Sequence, residues 1–125
     1  MKLFAPHRGE IQNPTRDLIA TVISELPAAP EGSQFAILES SEQTYIQTLF
    51  TQEGFVLQYQ DGNTEHHFES VRGNLTAGEV IEAFGAYLDR NPAWRFPFEW
   101  QQVEVRPLFY RMGHALGHLL GRIFR

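Results

Sequence analysis

Histidines are the residues of this chain whose types and spacing could bind a metal ion. His114 and His118 are four residues apart, so on a helix both point to one side, as in the zinc-binding helices of metalloproteases. Ala115 stands where such a helix carries its general-base glutamate, and no third ligand is evident nearby. His66 and His67 are adjacent, and neighbours on a strand point to opposite faces, so they cannot share a metal. The spacing therefore favours structural histidines, with His66 buried, His67 solvated and no metal site.

Carboxylates and hydroxyls offer the other routes to catalysis. Paired acids can do acid–base work, yet nothing in the sequence brings two strand-associated glutamates into one pocket. Those glutamates are Glu39, Glu42, Glu65 and Glu69. Ser40 and Ser41 lack the Gly-x-Ser-x-Gly context of a nucleophile elbow, and there is no cysteine for thiolate or iron–sulfur chemistry. We therefore expect a protein without catalytic residues or a cofactor.

Composition indicates one folded domain spanning residues 1–125. Of the 125 residues, 42% are hydrophobic and 13% aromatic, which is enough for a sizeable core and too apolar for a disordered chain. The N-terminal residues lack an apolar stretch of signal-peptide length, and no apolar run is long enough to span a membrane. We expect a cytoplasmic protein.

Charge is distributed unevenly along the chain. Residues 1–105 carry six basic and fifteen acidic groups, a net charge of −9, whereas residues 106–125 carry four arginines and no acid, a net charge of +4. The two parts sum to the overall −5. An acidic body repels the phosphates of nucleic acids and suits a basic protein partner, so we expect no nucleic-acid binding.

The hydrophobic pattern predicts an α+β fold, a mostly antiparallel sheet of about five strands covered by helices, in the order α-β-β-β-β-α-β-α. Asn13-Pro14 is typical of a helix start, and Thr76 with Glu79 forms a capping box before the second helix. Trp94 and Trp100 belong to an aromatic alternation that predicts entry into a fifth strand, with both rings in the core. The strands are predicted at residues 35–39, 44–52, 54–60, 63–71 and 101–105.

Asp61-Gly62 predicts a two-residue hairpin turn between the third and fourth strands. In that register Leu57 faces His66, and apolar residues agree across the turn. The predicted buried face comprises Phe55, Leu57, Tyr59, His66 and Phe68, and the predicted exposed face comprises Val56, Gln58, Gln60, Glu65 and His67. Leu57→Asp is then expected to unfold the protein, and Gln58→Asp to be tolerated.

Pro107 opens a predicted C-terminal amphipathic helix over residues 107–125. Its apolar band comprises Phe109, Met112, Leu116, Leu119, Leu120 and Ile123. Its basic band comprises Arg111, His114, His118, Arg122 and Arg125. We expect the apolar band to pack on its own domain and the basic band to dock an acidic partner or a second copy. A dimer through this helix and a membrane surface are the alternatives.

Residues 54–104 resemble a group of small bacterial proteins, the immunity proteins encoded beside secreted polymorphic toxins. The segments that carry the resemblance are residues 54–62, 67–68, 79–88, 92–95 and 98–100. They describe a hairpin, an amphipathic helix and two tryptophans, and none is a catalytic signature. The resemblance implies a bacterial cytoplasmic antitoxin that binds a toxin domain and blocks its active site.

A protein–protein interaction surface is therefore the functional site that we expect. A sheet face presents side chains in fixed positions, and its carboxylates could pair with toxin arginine or lysine. The residues predicted to make the contact are Glu39, Glu42, Gln58, Gln60, Glu65 and His67. A structural or adaptor protein that docks through its C-terminal helix is the alternative, and an enzyme with an unrecognised site is the third possibility.

Overall fold

The computed structural model describes residues 1–104, which form one antiparallel sheet and two α-helices. The predicted α+β class is confirmed, but the described sheet has seven strands rather than about five. The strands are β1 (Lys2–Ala5), β2 (Gly9–Gln12), β3 (Phe35–Ser41), β4 (Thr44–Thr51), β5 (Gly54–Gln60), β6 (His67–Ser70) and β7 (Trp100–Gln102). The helices are α1 (Arg16–Glu25) and α2 (Ala77–Leu88), and short 3-10 helices span Leu26–Ala28 and Pro92–Arg95. The strands lie in the order β2-β1-β3-β4-β5-β6-β7.

The helix predicted for residues 107–125 lies outside the described residues, and so do Arg111, His114, His118, Arg122 and Arg125. Within residues 1–104, neither helix has the length and apolar character needed to cross a membrane.

An N-terminal hairpin supplies the two strands that the predicted element order lacks. In the β1–β2 pair Leu3 stands opposite Ile11, and the turn closes through a 2.9 Å hydrogen bond from the Arg8 N–H to the Ala5 carbonyl. Gly9 has a φ of 79°, a conformation that glycine adopts without a steric penalty. Each strand has four residues, too few to display a clear alternation. Because β1 also pairs with β3, this hairpin extends the sheet on one side.

Helix α1 is capped by Thr15, so the prediction of a start at Asn13-Pro14 is wrong. The Thr15 hydroxyl accepts a 3.2 Å hydrogen bond from the Leu18 N–H. Asn13 has a φ of 51° and donates its N–H to the Met1 carbonyl at 2.9 Å, so it ends the N-terminal hairpin instead. Asparagine favours both helix caps and left-handed turn positions, which explains the misassignment.

The capping box predicted for α2 is confirmed. The Glu79 N–H donates to the Thr76 hydroxyl at 3.1 Å, and the Thr76 N–H donates to the Glu79 carboxylate at 3.1 Å. Two orphan N–H groups at the helix start are thereby satisfied. The residues of α2 that are buried are Val80, Ala83, Phe84, Gly85 and Tyr87.

Both helices pack on one face of the sheet, which we call the first face. Buried residues of α1 such as Val22 and of α2 such as Phe84 form one core cluster with Leu38, Ile46 and Leu57 from the strands. Alternation along the strands defines the opposite, second face. Its buried apolar side chains are Phe4, Phe35, Ile37, Leu49 and Val56, and its buried polar side chains are Tyr45, Gln47, Gln58, Gln60 and His67. Each of these is at most 8% exposed, whereas Glu10, Gln12 and Gln101 of the outer strands lie on the same face and are exposed.

The β5–β6 connection differs from the predicted two-residue turn. Tyr59 pairs with Phe68 and Gln60 with His67, so residues 61–66 form a loop rather than a tight hairpin. The loop is held by a 3.0 Å hydrogen bond from the Asp61 N–H to the His66 carbonyl. The predicted register is wrong by four residues. Because four is even, Phe68 keeps the predicted face and only the loop residues are misplaced.

Residues 92–99 do not enter a strand as their aromatic alternation predicts. Pro92–Arg95 is a 3-10 helix, capped by the Asn91 side chain, and pairing with β6 begins only at Trp100. Trp94 and Trp100 nevertheless pack against the core as predicted, each half-buried.

Candidate functional site

A row of buried polar side chains crosses the second face, and we call it the polar row. It comprises Tyr45, Gln47, Gln58, Gln60 and His67. Gln47 Nε2 donates to Gln58 Oε1 at 2.7 Å, and Gln58 Nε2 donates to the Glu69 carboxylate at 2.8 Å. The Tyr45 hydroxyl lies 3.2 Å from Gln60 Oε1 and 3.3 Å from His67 Nδ1. The row is therefore a hydrogen-bond network of two separate groups across β4, β5 and β6: Gln47 with Gln58, and Tyr45 with Gln60 and His67.

Strand register produces this network. In the β4–β5 pair Gln47 stands opposite Gln58 and Tyr45 opposite Gln60, and in the β5–β6 pair Gln60 stands opposite His67. Directly opposed side chains on one face are close enough to hydrogen-bond. The β4–β5 turn, with Thr51 paired to Gly54, fixes this register and is the sequence signal from which the Gln47–Gln58 pair could have been found.

The predicted exposure of this face is wrong. Gln58, Gln60 and His67 are 0%, 1% and 0% exposed, so they lie in the interior rather than on a solvated face. Alternation identifies which residues share a face but not whether that face is covered. Because these three side chains are buried, they are not available for the direct contact with a partner that the sequence predicts. Glu42 and Glu65 are exposed as expected.

The environments of His66 and His67 are the reverse of those predicted. His66 lies in the β5–β6 loop and is exposed, whereas His67 is fully buried. Burial lowers the pKa of His67 from 6.5 to about 4, so its imidazole is neutral at physiological pH. Among residues 1–104, His67 Nε2 has no hydrogen-bond partner, and burial also raises the pKa of Tyr45. The ring is a buried structural group, and its environment disfavours the charged form.

Three exposed carboxylates lie at one end of the sheet, and we call this feature the acidic end. It consists of Glu42 in the β3–β4 turn and of Asp61 and Glu65 in the β5–β6 loop. The two connections are joined by a 3.1 Å hydrogen bond from the Gly62 N–H to the Thr44 hydroxyl. All three acids are exposed, and none forms a salt bridge within residues 1–104.

Glu39, unlike the residues of the acidic end, is half-buried and lies in an ion pair. It is half-buried on β3, and its carboxylate lies 3.8 Å from Lys2 Nζ, which also lies 3.5 Å from Glu10. The ion pair neutralises part of its charge. Of the predicted contact residues, Glu42 and Glu65 are therefore the two that present an exposed carboxylate without an ion pair among residues 1–104.

An aromatic cluster surrounds Tyr59 at the β6–β7 side of the first face. The ring centre of Tyr59 lies 4.9 Å from that of Trp94 and 4.8 Å from that of Trp100, both edge-on. Arg95 lies over the Tyr59 ring, with its Cζ 5.1 Å from the ring centre, and donates to the Tyr59 hydroxyl at 3.0 Å. The Trp100 indole N–H donates to the Arg95 carbonyl at 2.9 Å. These satisfied polar groups make the cluster a rigid structural support for the 92–99 segment.

The described residues bring no recognisable catalytic set together. An open cleft of about 430 Å³ is lined by Glu53, Glu69 and Ser70 among others. Glu69 accepts the hydrogen bond from Gln58, and Ser70 Oγ accepts from the Leu57 N–H at 3.1 Å while donating to the Arg72 carbonyl at 2.8 Å. The hydroxyl is therefore committed to the backbone. Within residues 1–104 no three His, Asp or Glu side chains are grouped so as to hold a metal ion.

Comparison with known proteins gives no relative: no family model, no curated protein and no solved structure matches this chain.

Proposed function

We propose that this chain is a non-enzymatic binding protein, an immunity protein that neutralises a bacterial toxin domain by binding and occluding it. The observation that carries the proposal is the acidic end. Glu42, Asp61 and Glu65 are exposed and free of ion pairs within residues 1–104, so their charge is available to a partner.

The two connections that carry these acids are held by hydrogen bonds, one from the sheet and one within the β5–β6 loop. Gln60 Nε2 donates to the Gln43 side chain at 2.8 Å, and the Glu65 N–H donates to the Asn63 side chain at 2.9 Å. A preorganised acidic surface loses little conformational entropy on binding and steers a basic partner by long-range attraction. Toxin domains that act on nucleic acids or nucleotides need basic residues around their active sites, which are the groups this surface complements.

The test is neutralisation in cells. If the gene immediately upstream encodes a toxin domain, that domain is expressed alone and together with this chain, and growth is measured. We expect expression of the toxin domain alone to arrest growth and co-expression to restore it. A toxin domain that remains toxic in the presence of well-expressed chain would contradict the proposal, as would the absence of any toxin gene beside this one.

A further inference from the structure

An open cleft of about 400 Å³ lies between α2 and the 92–99 segment. Its apolar lining comprises Ala83, Ala86, Ala93, Trp94, Pro97 and Phe98. Ala83 and Ala86 are about one turn apart on α2, and their side chains are too small to fill the space beside the larger rings. None of the lining residues belongs to the polar row or to the acidic end. The cleft is therefore a separate apolar concavity, of a size that can enclose a ligand group or a partner side chain.

Contacts within the described residues hold the shape of the cleft. The Trp94 ring packs edge-on against Tyr59 and Tyr87, with ring centres 4.9 Å and 5.3 Å apart. At the rim the Arg16 guanidinium lies against Gly85 of α2, where an added Cβ would be 2.8 Å from Arg16 Cζ. Glycine at this position thus lets the Arg16 side chain approach the backbone of α2. A preformed cleft binds a partner with little ordering cost.

The charges at the rim leave one carboxylate without an ion pair among residues 1–104. Arg16 lies 2.9 Å from the Asp89 carboxylate, and Glu79 lies 3.3 Å from the Arg72 guanidinium. Glu82 is exposed and forms no salt bridge with another described residue. The rim therefore offers a negative charge, which complements a lysine or arginine of a partner.

The segment beside the cleft carries an exposed phenylalanine. Phe96 is 75% exposed, and its N–H donates to the Ala93 carbonyl at 3.3 Å, so its backbone is held in the turn. Pro97, the next residue, lines the cleft. An exposed aromatic side chain beside an apolar concavity is typical of a protein interaction surface. A small ligand enclosed by the cleft would leave Phe96 unused, which favours a protein partner.

We propose that this cleft is a docking site for an amphipathic helix of a protein partner, with an apolar side chain in the cleft and a lysine or arginine against Glu82. Glu82 and Ala86 are one turn apart on α2, so a helix lying along α2 meets them with two residues that are also one turn apart. The occupant is thus recognised by an apolar and a basic residue on one helix face. The site is distinct from the acidic end and does not rest on toxin neutralisation.

Titration of the full chain with a synthetic peptide, followed by nuclear magnetic resonance, tests this inference. The probe is an amphipathic helical peptide with leucines along one face and lysines beside them, and the matched peptide has glutamates in place of the lysines. The chain has two tryptophans and therefore two indole N–H signals. Trp94 lines the cleft and reports on binding there, whereas Trp100 does not line it.

Three variants locate the binding site of the peptide. Ala86→Phe fills the cleft with a ring, and Glu82→Lys reverses the charge at its rim. Glu31→Lys makes the same change in net charge at an exposed acid outside the cleft. The Trp100 indole signal shows whether each variant remains folded.

We expect the lysine peptide to shift the Trp94 indole signal to saturation. Its dissociation constant should rise at least about tenfold in Ala86→Phe and at least about threefold in Glu82→Lys, and stay within about twofold of the parent in Glu31→Lys. Glu82→Lys should bind the glutamate peptide more tightly than the parent does.

The inference is overturned if the lysine peptide leaves the Trp94 signal unchanged, or if Glu82→Lys and Glu31→Lys weaken binding equally. A Trp94 signal that moves when the protein alone is diluted would assign the cleft to a second copy instead. N-acetyl-leucine amide binding as tightly as the peptide would assign it to a small ligand. Toxin binding enters none of these measurements, so a failure here leaves the proposed function standing.

Discussion

His67 shows how a single buried residue couples the stability of this fold to pH. Its ring is fully buried in the polar row, and Nδ1 lies 3.3 Å from both the Tyr45 hydroxyl and Gln60 Oε1. No carboxylate contributes to its lowered pKa, which is caused by burial alone. Protonation therefore introduces an uncompensated charge into the interior.

We predict that the free energy of unfolding falls by about 2 kcal/mol between pH 7 and pH 5 because of His67. The folded-state pKa, about 4, is below the ordinary 6.5, so the unfolded chain binds the proton more readily in this window. The contribution is fully present above pH 6.5 and is lost as the pH falls towards 4. Urea denaturation at each pH measures it. Glu25, whose pKa is lowered to about 2 by Arg8 and His7, responds only below about pH 4.5.

Matched variants isolate this contribution. His67→Gln should flatten the slope between pH 7 and pH 5, and His66→Gln in the exposed loop should leave it unchanged. The same slope in His67→Gln as in the parent protein would show that another group is responsible.

At the scale of the elements, the sequence predicts the helices and strand faces better than the connections. The stripes of α1 and α2, the Thr76–Glu79 capping box and the span of β5 can be read from periodicity and local chemistry. The β5–β6 register cannot, because Asp61-Gly62 is typical of a tight turn while Asn63 and Glu65 form a competing local hydrogen bond of 2.9 Å within a longer loop. The pairing of β6 with β5 and β7 decides between the tight turn and the longer loop.

The structure predicts that Gln58→Asp is destabilising, by about 3 kcal/mol, whereas strand alternation alone predicts tolerance. Gln58 is fully buried between Gln47 and Glu69, and an aspartate there loses the donated hydrogen bond and places two carboxylates together. Gln52→Asp, in the exposed β4–β5 turn, should cost less than about 0.5 kcal/mol. Chemical denaturation compares the two, and equal stabilities would contradict the buried position of Gln58.

At the scale of the whole molecule, the main features are the position of the helices on one face of the sheet and the uneven distribution of charge. The helices cover the first face, the acidic end lies where the β3–β4 turn meets the β5–β6 loop, and the basic residues of 106–125 balance part of the acidic body. Composition predicts the charge asymmetry, and Glu42 and Glu65 are identified as exposed acids from sequence alone. Asp61 lies beside them at the start of the β5–β6 loop. Burial of the polar row is invisible to the sequence pattern, because alternation shows which residues share a face but not whether that face is covered.

The dissociation constant for the upstream-encoded toxin domain, measured by calorimetry, tests the central claim most directly. The variant Glu42→Lys/Glu65→Lys reverses two charges of the acidic end. The control Glu31→Lys/Glu53→Lys makes the same change in net charge with exposed acids at the opposite end of β3 and β4. We predict a dissociation constant at least about tenfold higher for the first variant and within about threefold of the parent for the control. Equal dissociation constants for the two variants would contradict binding through the acidic end.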